Sequence, residues 1–164
     1  MSTFEDTQYR WRETYFVLLH GENRPTIMQM EHALAELNDR FELVNITGND
    51  DGQFESVTVK SPDDYAALDI CYLSGEEVVE QGVALAEELK ATAGKEEMEA
   101  IRKIPGYDAR IDVLHFQDVA AIGGEGDDDE LGEMFDPSAL LVVIEALVQL
   151  TSGLAIDPQS GTLY

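Results

Sequence analysis

Positive charge is scarce in this chain of 164 residues and is missing from its C-terminal third. The sequence has ten lysine and arginine residues against 34 aspartate and glutamate residues, and residues 111–164 contain no lysine or arginine. Nucleic acids and anionic membranes are bound through cations that face phosphates, so neither is an expected partner. The partner that remains is a protein, either a basic protein or a second copy of the chain.

Cysteine and long apolar runs are also sparse. The one cysteine, Cys71, excludes an internal disulfide and a cysteine-cluster zinc site. The longest strongly apolar stretch, residues 139–150, contains Glu145 and Gln149 and is shorter than the roughly 20 residues that span a bilayer. The N-terminus lacks the basic and then apolar pattern of a secretory signal. These features predict a soluble, cytoplasmic protein.

Enough apolar sequence is present to form a folded core. Apolar residues make up 44% of the chain, and runs such as Tyr15–Leu19 and Leu140–Ile144 are not found in disordered chains. The length is that of one ordinary domain. We therefore predict a single domain over residues 14–164, preceded by a polar, loose lead-in over residues 1–13. The glycine-rich acidic segment 123–133 is expected to be a mobile loop within that domain.

Alternating and branched apolar residues predict the strands. The Asp-Gly turn within residues 48–52 favours an antiparallel return of the following strand. Leu68 and Ile70 alternate with Asp69 and Cys71, which indicates a strand with one inner face, although a helical start in this segment is the alternative. The predicted strands cover about 15–20, 41–47, 54–60, 67–73, 111–118 and 154–156.

Capping residues and apolar periodicity predict the helices. Thr26 marks the start of the first helix, and Ser74 with Glu77 has the spacing of a capping box at the start of the second. The last helix is expected to begin at the cap formed by residues 136–137 and to end at Gly153. It is apolar around most of its circumference, which is typical of a core or interface helix. The predicted helices cover about 26–37, 74–92, 96–103 and 136–152.

The order of these elements predicts an α+β fold. We expect an antiparallel or mixed sheet of about five to six strands, with about three main helices packed mainly on one face. The strand–helix–strand opening followed by a hairpin resembles the start of a split βαβ arrangement, and that likeness carries no function.

The acidic segment 125–130 has the oxygen-rich composition that calcium prefers. The EF-hand pattern fails when it is started at Asp127, because Ser138 then stands where a bidentate glutamate is required. The neighbouring carboxylates also repel one another. A solvated loop is therefore favoured, and weak binding of divalent cations is the alternative.

Soft metal ligands occur on three predicted strands. His20, His115 and Cys71 could form a zinc site only if the fold brings them together, and no local spacing supports one. The segment from Gly21 to Thr26 leads into a helix whose N-terminus could bind an anion with help from Arg24. Capping of that helix by Thr26 explains the segment more simply. We predict no catalytic, cofactor-binding or metal-binding residue.

Two functions remain as hypotheses. The first is a non-enzymatic protein-interaction domain, favoured by the apolar last helix and by charge of one sign. The second is an enzyme or small-ligand binder with a site at the strand ends near His20, Arg24 and His115. A concave cleft with converging polar groups would favour the second, and an apolar patch edged by carboxylates would favour the first.

Overall fold

The structure is a computed structural model that describes residues 9–61, 66–118 and 138–163. Within these ranges it is an α+β fold with one seven-stranded antiparallel sheet and four α-helices. The strands are β1 (Tyr9–Leu19), β2 (Glu42–Gly48), β3 (Phe54–Ser61), β4 (Ala66–Ser74), β5 (Ala109–Asp118), β6 (Leu154–Asp157) and β7 (Thr162–Leu163). The helices are α1 (Ile27–Ala35), α2 (Glu76–Lys90), α3 (Lys95–Lys103) and α4 (Ser138–Thr151).

The strand order is β2-β3-β4-β5-β1-β6-β7, and every neighbouring pair is antiparallel. The antiparallel return after the turn at residues 48–52 is confirmed by the pairing of β2 with β3. The sheet exceeds the predicted size because the turn after Asp157 is followed by the short strand β7. The first strand starts at Tyr9, earlier than the apolar run alone predicted. β1 and β2 run in the same direction, and three strands lie between them.

The helices lie on both faces of the sheet, so the prediction that they pack mainly on one face was wrong. Successive residues of a strand point to opposite faces, and Val17 and Leu18 belong to two different apolar clusters. On the first face Val17 packs with buried residues of α1 and α4, including Leu34 and Leu147. On the second face Leu18 packs with α2 and α3 through residues such as Ala86. Sequence periodicity identifies the apolar stripe of each helix but does not say which face of the sheet receives it.

Helix α2 begins differently from its predicted capping box. Ser74 still belongs to β4, where it pairs with Ala109, and the N-cap position is occupied by Gly75 without a side-chain hydrogen bond. Gly75 has a φ of 119°, a conformation that favours glycine and that turns the chain directly from strand into helix. The capping box is found instead at α1. There the Thr26 hydroxyl accepts a hydrogen bond from the Gln29 N–H at 3.1 Å, and the Gln29 side chain accepts one from the Thr26 N–H at 3.0 Å.

A pair of alanine substitutions tests which of the two helices, α1 or α2, is capped by a side chain. Thr26→Ala should lower the free energy of unfolding by about 1 kcal/mol, because it removes the acceptor for the Gln29 N–H. Ser74→Ala should change it by less than about 0.5 kcal/mol, since Ser74 is an exposed strand residue that caps nothing. Urea unfolding of both variants would measure the difference. An equal or larger loss for Ser74→Ala would contradict the observed start of α2.

Helix α4 ends at Thr151, two residues before the predicted glycine cap at Gly153. Ser152 takes the left-handed conformation, with a φ of 56°, and the Gly153 N–H donates to the Val148 carbonyl at 3.2 Å. Gly153 is needed for another reason, which is that a Cβ at this position would collide with the carbonyl oxygen of Leu18 in β1. The glycine therefore lets the chain that follows α4 lie directly against the central part of the sheet.

Several sequence predictions lie outside the described residues. They concern the acidic loop at 123–133, the helix cap at 136–137 and the first eight residues of the lead-in. Among the described helices, none combines the length and the apolar character needed to cross a bilayer.

Candidate functional site

The fold separates the residues that the sequence placed in one strand-end site. His20 lies just past the end of β1, where its ring is tilted against that of Tyr107 with 4.9 Å between the ring centroids. His115 is fully buried on the first face of the sheet, and its Nδ1 lies 3.3 Å from a carboxylate oxygen of Glu13. The strand position of His115 is six residues beyond Ala109, the partner of Leu19, which corresponds to about 20 Å along the strand. His115 therefore does not share a site with His20.

The proposed zinc ligands are separated as well. Cys71 pairs across the sheet with Asp112 on the second face, whereas His115 pairs with Leu68 on the first. Within residues 9–61, 66–118 and 138–163, no group of three histidine, cysteine, aspartate or glutamate side chains is arranged to hold a metal ion.

A cleft does occur at the strand ends near His20 and Arg24. It has a volume of about 740 Å³ and lies between the ends of β1 and β4, the start of β5 and the N-terminus of α2. The Gly21 N–H donates to the Asp108 carboxylate at 2.7 Å, and the Arg24 guanidinium lies 4.1 Å above the centre of the Tyr72 ring. Glu76, Glu80 and Asp108 all line the cleft, so its formal charge is negative.

A polar cluster lies on the second face of the sheet, next to α2. The Arg110 Nε donates to Asp112 at 2.6 Å, its Nη1 donates to the Gln81 side chain at 2.6 Å, and its guanidinium lies 4.4 Å above the Phe16 ring. Arg110 therefore links two positions of β5 to helix α2 and to β1. Sequence spacing gave no sign of this cluster, because Gln81 and Arg110 are 29 residues apart.

The electrostatics of this cluster oppose a nucleophilic role for Cys71. Burial raises the pKa of the Cys71 thiol, and the neighbouring carboxylates of Asp69 and Asp112 raise it further. The reactive form of cysteine is the thiolate, which this environment disfavours. Burial also raises the pKa of Asp112, and the ion pair and hydrogen bond from Arg110 only partly offset that effect.

The raised pKa of Asp112 gives a pH prediction with a definite sign. Because the folded protein holds this proton more tightly than the unfolded chain does, stability falls as pH rises from the ordinary aspartate value through the raised pKa. Asp112→Asn removes that titration. Losing the ion pair to Arg110 has its own cost, which does not depend on the titration of Asp112. The stability of the variant relative to the parent chain should therefore rise across this window and stay constant above it.

Urea unfolding between about pH 3 and pH 7 would test this prediction. Asp51→Asn, at an exposed turn residue, serves as the control because it removes the same charge from a strongly anionic chain. If Asp112→Asn loses stability relative to that control as pH rises, the sign derived for Asp112 is wrong.

Exposed apolar side chains occur on α4 and on its neighbour α1. Leu141 and Val142 are exposed by 44% and 40% on the outer side of α4, and Met28 of α1 is exposed by 79%. At 100° per residue, Leu141, Val142, Glu145 and Gln149 form one outward strip of α4. The apolar last helix that the sequence indicated is therefore only partly covered.

Two grooves run along this outward strip. One, of about 460 Å³, is lined by Leu141, Ile144, Glu145, Val148 and Gln149. The other, of about 420 Å³, lies between α4 and α1 and shares Gln149 with the first. Helix α4 thus forms a ridge between two concave surfaces whose edges carry carboxylates.

Comparison of the chain with protein-family models, curated proteins and solved structures found no match.

Proposed function

We propose that this chain is a non-enzymatic, cytoplasmic protein-interaction domain that binds a protein partner through the outer side of α4. The observation that supports this most directly is the exposure of Leu141 and Val142, beside an apolar groove lined by Ile144 and Val148. Exposed apolar surface of this kind, edged by polar residues, is characteristic of binding surfaces. Burying it against a partner would remove it from water at about 25 cal/mol per Å².

The arrangement of the titratable groups supports binding rather than catalysis. Cys71 is held in its thiol form by burial and by neighbouring carboxylates, and His115 is buried beside Glu13 rather than placed in the strand-end cleft. A catalytic base or nucleophile has to reach its substrate within hydrogen-bonding distance. These groups are therefore better explained as parts of the folded core and sheet.

A paired set of lysine substitutions tests the proposed function. Leu141→Lys with Val142→Lys places two charges on the outer side of α4. Val83→Lys with Ala84→Lys makes the same charge change on the exposed side of α2, where Val83 is 43% exposed. Immobilised parent chain and the α2 variant should retain the same partner proteins from a lysate of the source cells, and the α4 variant should retain them at least tenfold less.

Hydrogen exchange then identifies the surface that is used. Amides near residues 138–151 should become protected when a retained partner is added in purified form, because α4 would lie at the interface. Retention that is equal for both double variants, or protection that lies away from α4, would contradict the proposal.

A second candidate function is the binding of a small cationic molecule in the strand-end cleft. It is favoured by the size of the cleft and by the carboxylates of Glu76, Glu80 and Asp108 around it. A small diamine followed by NMR should then shift the amides of Gly21 and Gly75, and Glu80→Gln should weaken that response. Shifts spread evenly over the acidic surface would count against a specific site.

A further inference from the structure

We propose that the groove between α1 and α4 receives a basic amphipathic helix of another protein. This inference rests on the proposed function and specifies the partner's chemistry. The four apolar groove residues are Ala33, Leu37, Ala146 and Leu150. All four are partly exposed, so the groove is open to an incoming apolar ridge rather than closed by its own side chains.

The shape of the groove favours a helix as the occupant. Two neighbouring helices enclose a concave strip, and the ridge of a third helix fits such a strip by ridges-into-grooves packing. Residues at i, i+3, i+4 and i+7 of an amphipathic helix would supply that ridge. Small side chains at Ala33 and Ala146 leave room for the larger apolar residues of a partner.

The charge of the groove edges selects a basic partner. Neither α1 nor α4 contains lysine or arginine, whereas the exposed carboxylates of Glu36 and Glu145 lie beside the grooves. His32 lines the groove and lies 3.0 Å from Glu36, so it reduces this negative charge only when it is protonated. Lysine or arginine residues flanking the apolar ridge of a partner helix would face these carboxylates.

The same charges argue against a second copy of the chain as the occupant. Each copy carries a net charge of −24, so association would bring like charges together at the groove edges. The acidic segment 125–130 of the same chain is a poor occupant for the same reason, because it would add further carboxylates at the groove edges. A basic partner is instead attracted over a distance of about 8 Å at physiological salt, and that attraction weakens as salt rises.

Two designed peptides test the partner class with the full chain. Both carry leucine at the i, i+3, i+4 and i+7 spacing of an amphipathic helix, with lysine at the flanking positions in one and glutamate in the other. In NMR titrations the lysine peptide should shift the amides of Ala33, Leu37, Ala146 and Leu150. The glutamate peptide should bind at least tenfold more weakly at those positions.

Matched variants separate groove binding from general attraction to an acidic protein. Ala33→Lys fills the groove and should weaken binding of the lysine peptide at least tenfold, whereas Ala84→Lys makes the same change on exposed α2 and should have little effect. Glu36→Lys should weaken the lysine peptide and strengthen the glutamate peptide. Glu87→Lys, at an exposed position of α2, controls for the reversed charge.

The outcomes distinguish this inference from the proposed function. If both peptides bind equally at the groove, the basic partner class is wrong, and protein binding by this surface stands. A dimer in sedimentation experiments with protection along α1 and α4 would identify a second copy as the occupant and overturn the inference in the same way. If Ala33→Lys and Ala84→Lys behave alike, the groove is not the binding site. If the α4 double variant also retains every partner protein, the proposed function fails as well.

Discussion

Replacing Gly153 with alanine is expected to lower the free energy of unfolding by about 3 kcal/mol. The new Cβ would collide with the Leu18 carbonyl oxygen and lie 2.9 Å from the Thr151 hydroxyl. The carbonyl belongs to β1 in the middle of the sheet, and the Thr151 hydroxyl already donates to the Leu147 carbonyl at 2.7 Å. Neither group can move without disturbing the end of α4 or the pairing of β1 with β6.

Two further substitutions make this result specific. Gly106→Ala serves as the control, because a Cβ there would meet nothing within 4 Å, and it should change stability by less than about 0.5 kcal/mol. Ser152→Gly should stabilise the fold by about 1 kcal/mol, because Ser152 holds a φ of 56° that glycine adopts without strain. All three variants can be compared by urea unfolding. A Gly153→Ala variant as stable as Gly106→Ala would mean that the connection from α4 to β6 does not lie against Leu18.

Replacing Arg110 with methionine is the second change with a large expected effect. Its side chain is 13% exposed and pairs with Asp112, whose side chain is 18% exposed. Both side chains are partly buried, so removing one member leaves the other charge without its partner at a cost of about 2 kcal/mol, below the range for fully buried pairs. Since Arg110 is the group that lowers the pKa of Asp112, its loss should also move that pKa further upward.

A double variant tests whether the Asp112 carboxylate, left without Arg110, causes the loss of stability. Arg110→Met combined with Asp112→Asn removes both charges, and it should recover most of the stability lost by Arg110→Met alone. Urea unfolding at pH 7 measures the single and double variants in one cycle. If the double variant is as unstable as the single one, the cost arises from lost packing against Phe16 and the lost hydrogen bond to Gln81.

The strand pattern of the central segment was predictable because burial imposes a period of two on a strand. Leu68 and Ile70 are buried in the core with Val57 and Val59 of the neighbouring strand, as the alternation indicated. The Asp-Gly turn likewise predicted the β2–β3 hairpin, since its conformational preference is local. The second helix was predicted correctly as a helix, and only its start was wrong. Ser74 has the right spacing for a cap, but sheet pairing with Ala109 holds it in the strand.

The candidate site was less predictable because its parts are distant in sequence. The strand-end cleft joins Gly21, Tyr72 and Asp108, and no spacing rule connects them. Nothing in the local sequence distinguishes His115 from His20. Strand register alone places His115 six residues along β5 from the strand end near His20. The apolar character of α4 was visible in the sequence. Its partial exposure depends on which side the sheet and α1 cover.

The sequence by itself determined that the chain is anionic, that its fold is α+β, and that its last helix carries apolar residues on most of its sides. These properties follow from composition and from periodicities that act within one segment of chain. Only the tertiary structure decided that the helices divide between two faces, that His20 and His115 lie apart, and that α1 and α4 enclose an open groove. Each of these depends on strand order and register, which arise from contacts between residues far apart in sequence, and local preferences do not specify such contacts.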